Sequence, residues 1–503
     1  MDIWKLSGIG IYLVILIVIG VVAARRMKNL SDYYAAGKSL GFFSVAFSAR
    51  ATGESAWLLL GLTGMGAAFG FKAFWVVLGE VLGVMGAWLL LSKRFKRLTD
   101  EYKSITIPDY LESRFADQSH LIRAVSAIAL ICFVTIYVSA QIDATGQAFE
   151  DFLGWNYYVG ILVGFTVVTA YITSGGFLAV AWSDVFQGAL MFVGLVLLPA
   201  VALMDIGGWS ELLNQLQNID PNLISWTHGE GWSMLSIASI ASLTLIGLGF
   251  LGSPQIFVRF IALKDEKEIP MGATVAFVWT LLADSGAVLI GMCGRAIFAD
   301  PSLGMDLTAD AEAVLPALVE YSFSPFIVGL YIAIVLSAIM STVDSLLILA
   351  SSAAVRDYHQ QIKNPHLSDD ALIGISRKVT LGLAGAGLAI ALMVSVLTET
   401  RSVFWFVIFG WSGISATFCP VMILSLFWSR LTANGAVTAM IVGFVGVPVF
   451  KFIVPTLPAI GPFFGALGEL PPAFACSFAA AILVSLSGTP PPPSVMNSLK
   501  EKA

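Results

Sequence analysis

Residues Leu336–Ser352 read LSAIMSTVDSLLILASS, inside an apolar span that opens near Phe326. Ser337, Ser341, Thr342, Asp344 and Ser345 put oxygen where a lipid-facing helix would carry hydrocarbon. A carboxylate at the centre of a lipid-exposed helix costs about 2.5–3.5 kcal/mol. Asp344 is therefore expected to face a bundle interior or an ion path. At about 100° per residue, Ser341, Asp344 and Ser345 share one helix face, with Thr342 beside them. This nest of hard oxygens suits a small cation. A small-residue packing face with internally satisfied hydroxyls is the plainer alternative.

The composition agrees with burial in a bilayer. Of 503 residues, 57% are hydrophobic and only 12% are charged, about half the charged share of an average globular chain. Apolar runs of membrane-spanning length recur from end to end, which predicts an all-α polytopic membrane protein in contact with lipid. The net charge of -6 is small for this length, and without a broad basic patch no nucleic-acid partner is expected. Cys132, Cys293, Cys419 and Cys476 have neither disulfide nor metal-ligand spacing and read as buried small hydrophobes. No cleavable signal peptide is evident. There is no GxSxG element, HExxH pair or phosphate-cradling loop, so neither enzyme chemistry nor an organic cofactor is expected.

Thirteen spans are expected, at about 6–24, 40–65, 74–91, 122–149, 157–172, 185–203, 233–261, 274–298, 326–352, 379–397, 404–427, 436–450 and 464–486. Basic clusters follow the first (Arg25, Arg26, Lys28), third (Lys93, Arg94, Lys96, Arg97), seventh (Lys264) and ninth (Arg356). The positive-inside rule then places the amino terminus outside and the carboxyl terminus in the cytoplasm, in the plasma membrane. Residues 205–231 read as an external loop, and 488–503, with the run Pro490–Pro493, as a cytoplasmic tail.

Two spans carry break signals. Phe47–Trp57 reads FSARATGESAW, with Arg50, Glu54 and Ser55 at depth and Gly53 giving the backbone freedom. Arg50 and Glu54, four apart, can pair. Gly247–Gln255 reads GLGFLGSPQ, where three glycines and Pro254 weaken a continuous helix. Breaks of this kind expose carbonyls and half-helix ends near the midplane, where transporters bind ions and solutes. Tyr137, Ser139, Gln141 and Asp143 bring further polar groups. A tight re-entry is expected in the segment Ser174–Asp184, where Asp184 would complete a cation site or cap its own helix. Asp284 reads as a separate polar contact in the bundle.

The strings SDYYAAGKSLG (Ser31–Gly41), SITIPDYLESRF (Ser104–Phe115), TIYVSA (Thr135–Ala140), GGFLAVAWSDVFQGALM (Gly175–Met191) and LSAIMSTVDSLLILASSA (Leu336–Ala353) together resemble the sodium/solute symporter family, most closely its bacterial sodium/proline branch. The resemblance implies a core of two inverted five-helix repeats, 40–203 and 233–427. It implies a sodium site built from the carbonyls of Ala51 and Glu54, a backbone oxygen of Ser337 or Ala338, and the hydroxyls of Ser341 and Thr342. A second cation site would involve Asp184, Ser341, Asp344 and Ser345. The substrate set is Ser55, Trp57, Tyr137, Gln141, Ile246, Phe250 and Pro254. This chain departs from the family pattern where Gly53 replaces an aspartate, Arg50 a small residue, Phe250 a tyrosine and Ile246 a tryptophan. The implied function is sodium-coupled uptake of a small organic solute, with proline as the best match, by a chain that works as a monomer. Proton-coupled symport of another solute is the alternative. A cation channel or a non-transporting sensor is the alternative from a different class.

Overall fold

A computed structural model describes residues 3–26, 34–172, 176–364, 366–398, 402–493 and 496. Residues 31–33, Lys28, Ser174, Gly175, Arg401 and the tail from 497 lie outside them, and with them the re-entry expected at Ser174 and Gly175. Among the described residues the fold is helical, with a single isolated bridge between Leu40 and Leu263.

Eleven helices are long and apolar enough to cross a membrane. The difference from thirteen arises in two places. The outer part of span two and all of span three run together as Trp57–Glu101, joined by the tight turn Gly70–Ala73. Span five has its expected bounds, Tyr157–Ile172, but at 16 residues it is too short to be counted among the eleven. The external segment 205–231 carries a helix, Trp209–Ile219, anchored by buried Leu212 and Leu216. Cys293 and Cys419 are buried, whereas Cys132 and Cys476 are exposed. The reading of all four as buried is thus corrected: two sit on outward faces of apolar helices, where lipid in place of protein would cover them.

Both break signals mark real interruptions. Phe42–Gly53 ends where Glu54 turns extended (φ −97°, ψ 108°), and winding resumes in the wide turns of Trp57–Leu62 before Thr63–Phe69. Gly53 is needed there because a Cβ would lie 2.8 Å from Cε1 of Phe250. The second interruption separates Met234–Leu245 from Pro254–Ala262, with a tightened stretch at Ile246–Leu251. Pro254 occupies the first turn of its helix, where a missing N–H costs nothing. It also holds Ser253 extended (φ −59°, ψ 128°).

The serine-bearing helix, Pro325–Ser352, packs against Ile3–Ala24, Phe42–Gly53, Leu121–Leu153 and Gly176–Ile206. Every residue of Leu336–Ser352 is consequently buried. At one end of the bundle, Leu40 exchanges backbone hydrogen bonds with Ala262 and Lys264 (3.0 and 2.9 Å). Glu268 accepts the free N–H of Phe42 there at 2.7 Å. Arg97 pairs with Glu266 at the same end. At the other end Glu312 accepts from the Ser402 hydroxyl and the N–H groups of Val403 and Phe404 (2.7, 2.8 and 3.2 Å), capping the helix Val403–Phe427. Burial pushes the Glu312 carboxyl up, and those three donors oppose the shift. Near the carboxyl terminus, Arg430 donates to the Gly488 carbonyl at 3.0 Å, so the chain at the start of the expected tail is held against the bundle.

The second break lies flat against Phe74–Gly86 because the contact is glycine on glycine. A Cβ on Gly247 would fall 1.9 Å from the Gly79 carbonyl oxygen, and one on Gly79 would fall 2.0 Å from that of Thr244. Gly247→Val should therefore cost about 1–3 kcal/mol or more, read as a lower melting midpoint of the detergent-solubilised protein. Gly10→Val, where a Cβ meets nothing within 4 Å, should leave the midpoint in place.

Candidate cation and substrate site

Where the first helix unwinds, its last carbonyls have lost their helical partners. The serine-bearing helix lies alongside. Ser341 Oγ stands 2.8 Å from the Ala51 carbonyl, 2.8 Å from that of Ser337 and 3.2 Å from that of Ala338. Thr342 Oγ1 is 3.2 Å from the Thr52 carbonyl, and Thr52 Oγ1 is 3.3 Å from that of Ser341. The Ser337 and Ala338 carbonyls lie within a continuous helix and serve it as well, whereas the Ala51 carbonyl lies in the last turn before the break. The nest gathers hard oxygens from two helices, a donor set that suits a small cation. Ala51, Ser337, Ala338, Ser341 and Thr342 meet here. The Glu54 carboxylate, which is not the group expected at the site, ion-pairs with Arg50, and the Thr52 carbonyl is the one that Thr342 reaches.

The second candidate cation site contains a cation of the chain's own. Arg259 Nη2 lies 2.9 Å from Asp184 and 2.5 Å from both Thr52 and Ser345, and Arg259 Nε donates to Ser48 at 2.9 Å. Ser48 donates in turn to Asp184 at 2.6 Å. All these groups are buried. Asp344 is fully buried next to Ser345, with one carboxylate oxygen left without a hydrogen-bond partner. Neither Arg259 nor Glu80 figures in the sequence reading. Each stood in plain view as a lone charge in an apolar run, VRFIA and LGEVLG.

The substrate set divides into two groups that face each other. Gln141 accepts the orphaned Ala56 N–H at 3.1 Å and donates to Ser55 Oγ at 3.0 Å. Tyr137 reaches the same Ser55 hydroxyl at 3.5 Å. Trp57 Nε1 donates to the Gly53 carbonyl at 3.1 Å. Across the break, the Ile246 carbonyl accepts from Trp411 Nε1 at 3.0 Å, and the rings of Phe250 and Trp411 are 4.9 Å apart. Pro254 is buried at the start of its half-helix and contributes by placing the break. Trp411 and Ser415 belong with this group although sequence reasoning did not name them. Ser415 Oγ is buried without a partner, beside Gly249. Asp143 stands apart, tied to Tyr157 and to Gln147.

Two interrupted helices, a hydroxyl-rich helix against the first break and a partly satisfied polar group between the breaks define a secondary transporter of the broken-helix class. The family model described as the sodium:solute symporter family matches residues 33–443. The high-affinity proline transporter PutP of Bacillus subtilis (strain 168) is 36% identical over 487 residues, covering 97% of this chain and 98% of the relative. The sodium/proline symporter of Escherichia coli (strain K12) is 33% identical over 496 residues, covering 98% and 94%. Among solved structures, an outward-open, substrate-bound Na+-coupled sialic acid symporter superposes with a TM-score of 0.79 at 19% identity, over 97% of this chain and 98% of that one. The chain belongs to the sodium:solute symporter family. It is a multi-pass membrane transporter rather than an enzyme, with sodium as its coupling ion.

Gln141 is the side chain that closes the first break, and its loss would leave the buried Ala56 N–H unpaired. Gln141→Ala should cost about 1–3 kcal/mol in the thermal stability of the purified protein. Thr166→Ala, on an exposed helix face, should cost little.

Proposed function

We propose that this chain takes up a small organic solute, proline first among the candidates, with sodium by alternating access in the plasma membrane. The observation that carries the reading is the oxygen-rich nest joining Ala51 and Thr52 to Ser341 and Thr342. Sodium arriving from outside neutralises those oxygens and holds the broken helix against the serine-bearing helix. Solute binds between the two breaks, where Ser55, Trp57, Tyr137 and Gln141 face Phe250, Ile246 and Trp411. Opening towards the cytoplasm parts the two helices, and both ligands leave. Each ligand favours compatible states, so sodium raises solute affinity and solute raises sodium affinity by the same factor. The two breaks, one in the first helix of each proposed repeat (40–203 and 233–427), support the inverted-repeat reading. The ion-paired end with Lys38, Arg97, Arg123 and Lys264 supports a cytoplasmic assignment for that face. The amino terminus then lies outside and the carboxyl terminus inside. We assign one sodium per solute, because Arg259 already supplies a fixed positive charge beside Asp184 and Ser345.

Ser341→Ala and Thr342→Ala each remove one oxygen from the nest. Each should weaken sodium binding by about 1–3 kcal/mol, raising the half-saturating sodium concentration about 5- to 150-fold at unchanged membrane expression. Labelled proline uptake into proteoliposomes across a range of sodium concentrations measures this. Full sodium-dependent uptake by the double variant would refute the assigned site. Asp344→Asn tests the stoichiometry: one sodium per proline should persist, and a fall from two to one would establish the second ion.

A further inference from the structure

One buried group of charges takes no part in the nest. Arg50 and Glu54 belong to the first broken helix, Glu80 to Phe74–Gly86 and Asp284 to Ile269–Ile297; none is more than 1% exposed. One carboxylate oxygen from each of Glu54, Glu80 and Asp284 lies within 4.8 Å of the other two. Arg50 ion-pairs with Glu54 and stands 3.6 Å from Glu80. Its guanidinium carbon is 4.8 Å from the ring centre of Phe250 and 5.5 Å from that of Trp279. Both oxygens of Glu80 and both of Asp284 are buried and have no hydrogen-bond partner.

Three acids face one base, which leaves two negative charges uncompensated in the membrane interior. Burying a charge without a partner carries a heavy desolvation penalty. The unpartnered oxygens also lack donors, which buried carboxylates ordinarily find. Two protons would cancel both deficits, bringing the group to neutrality and supplying two O–H donors for neighbouring carboxylate oxygens. A metal ion meets the group less well. Arg50 already places positive charge against two of the three acids, and a hard cation wants six or more oxygens with room for them. A proton needs no cavity. Tyr137, on Leu121–Leu153, is the remaining titratable side chain near Glu80. The second broken helix brings only the ring of Phe250, since its Arg259 is committed to Asp184.

We propose that Glu80 and Asp284 form a proton-binding site whose protons exchange with water during the cycle, so that uptake is proton-linked as well as sodium-linked. The exchange step rests on the carrier reading above. Arg50 and Glu54 bracket the carbonyls of Ala51 and Thr52, and Phe250 sits in the second break. Movement at either break therefore displaces Arg50, whose charge lies against Glu80 and is the positive charge of the group. Protons taken up from water on one side are released to water on the other.

The first test needs no solute. Potentiometric titration of the full-length protein in detergent, from pH 9 to pH 5, should show about two fewer protons bound per chain in the Glu80→Gln/Asp284→Asn variant than in wild type. Ser341→Ala should match wild type. Both replacements are near-isosteric and remove buried charge; if the double variant does not fold, each single variant should bind about one proton fewer. Equal counts would overturn the site. A sodium- or calcium-dependent shift of the titration that Asp284→Asn abolishes would mean a metal site instead, and would also overturn it. The second test uses proteoliposomes with the membrane potential clamped, equal sodium on both sides and an alkaline interior. Wild type should accumulate labelled proline above equilibrium, and the double variant should accumulate it only under a sodium gradient. Wild type that follows the sodium gradient and ignores the pH gradient would overturn the exchange. If proline moves under neither gradient while the titration difference stands, the solute assignment fails and the proton site survives.

Discussion

A helix in a bilayer satisfies its own backbone, and the whole arrangement of this molecule follows from suspending that rule twice. With no water in the hydrocarbon, irregular backbone is tolerated only where protein or a polar cavity supplies partners. The two breaks here are provisioned in different ways. At the first, Gln141 takes the Ala56 N–H, and Ser341 and Thr342 come up against the carbonyls of Ala51 and Thr52. At the second, the Ile246 carbonyl takes the Trp411 indole N–H and the Gly249 carbonyl takes the Cys419 thiol at 3.3 Å. The elements that repair the breaks are therefore Leu121–Leu153, Pro325–Ser352 and Val403–Phe427.

Charge placement obeys the same economy. Arg259 is fully enclosed, yet it meets Asp184 and the hydroxyls of Ser48, Thr52 and Ser345. Its planar fork gives one side chain contact with three helices, which a lysine ammonium would not reproduce. The Arg50 group lacks that balance. Its guanidinium is shared between Glu54 and Glu80 and packed on Phe250 and Trp279, while Asp284 has no donor. Two buried arginines in one bundle thus do different work. One completes its surroundings, and the other leaves them short of positive charge.

How much of this was legible in the sequence varied with the kind of signal. The serine-bearing helix could be read because polar residues at helical spacing in an apolar run have few physical explanations. The breaks could be read because Gly53, the Gly247–Gly252 run and Pro254 act on their own backbone. The grouping of Ser55 with Gln141 followed from the resemblance, and their mutual hydrogen bond needed the structure. Partners across the bundle were out of reach. Arg50 and Glu54 were paired from their i, i+4 spacing, but nothing local connects them to Glu80 or Asp284. The contact of Thr342 with the Thr52 carbonyl depends on rotation at the break, which sequence spacing does not fix. The boundary between spans two and three was legible as well: the expected gap between residues 65 and 74 holds the turn Gly70–Ala73, although it is so tight that winding runs almost unbroken from Trp57 to Glu101.

Coupling requires that an ion bind one arrangement of the helices better than another, since a ligand of equal affinity for both shifts nothing. The proposed site at Ser341 would have that property. Its oxygens come from two separate helices, so parting them by even an ångström or two would remove ligands from an ion bound there. A site built within a single helix would travel with that helix and sense no movement. The Ser337 and Ala338 carbonyls also serve their own helix, so the Ala51 carbonyl, at the end of the broken helix, is the oxygen whose surroundings change most when the two helices part. On the proposed reading the ion gradient drives transport, and what couples it to the helices is that Ala51 sits on one of them and Ser337, Ala338 and Ser341 on the other.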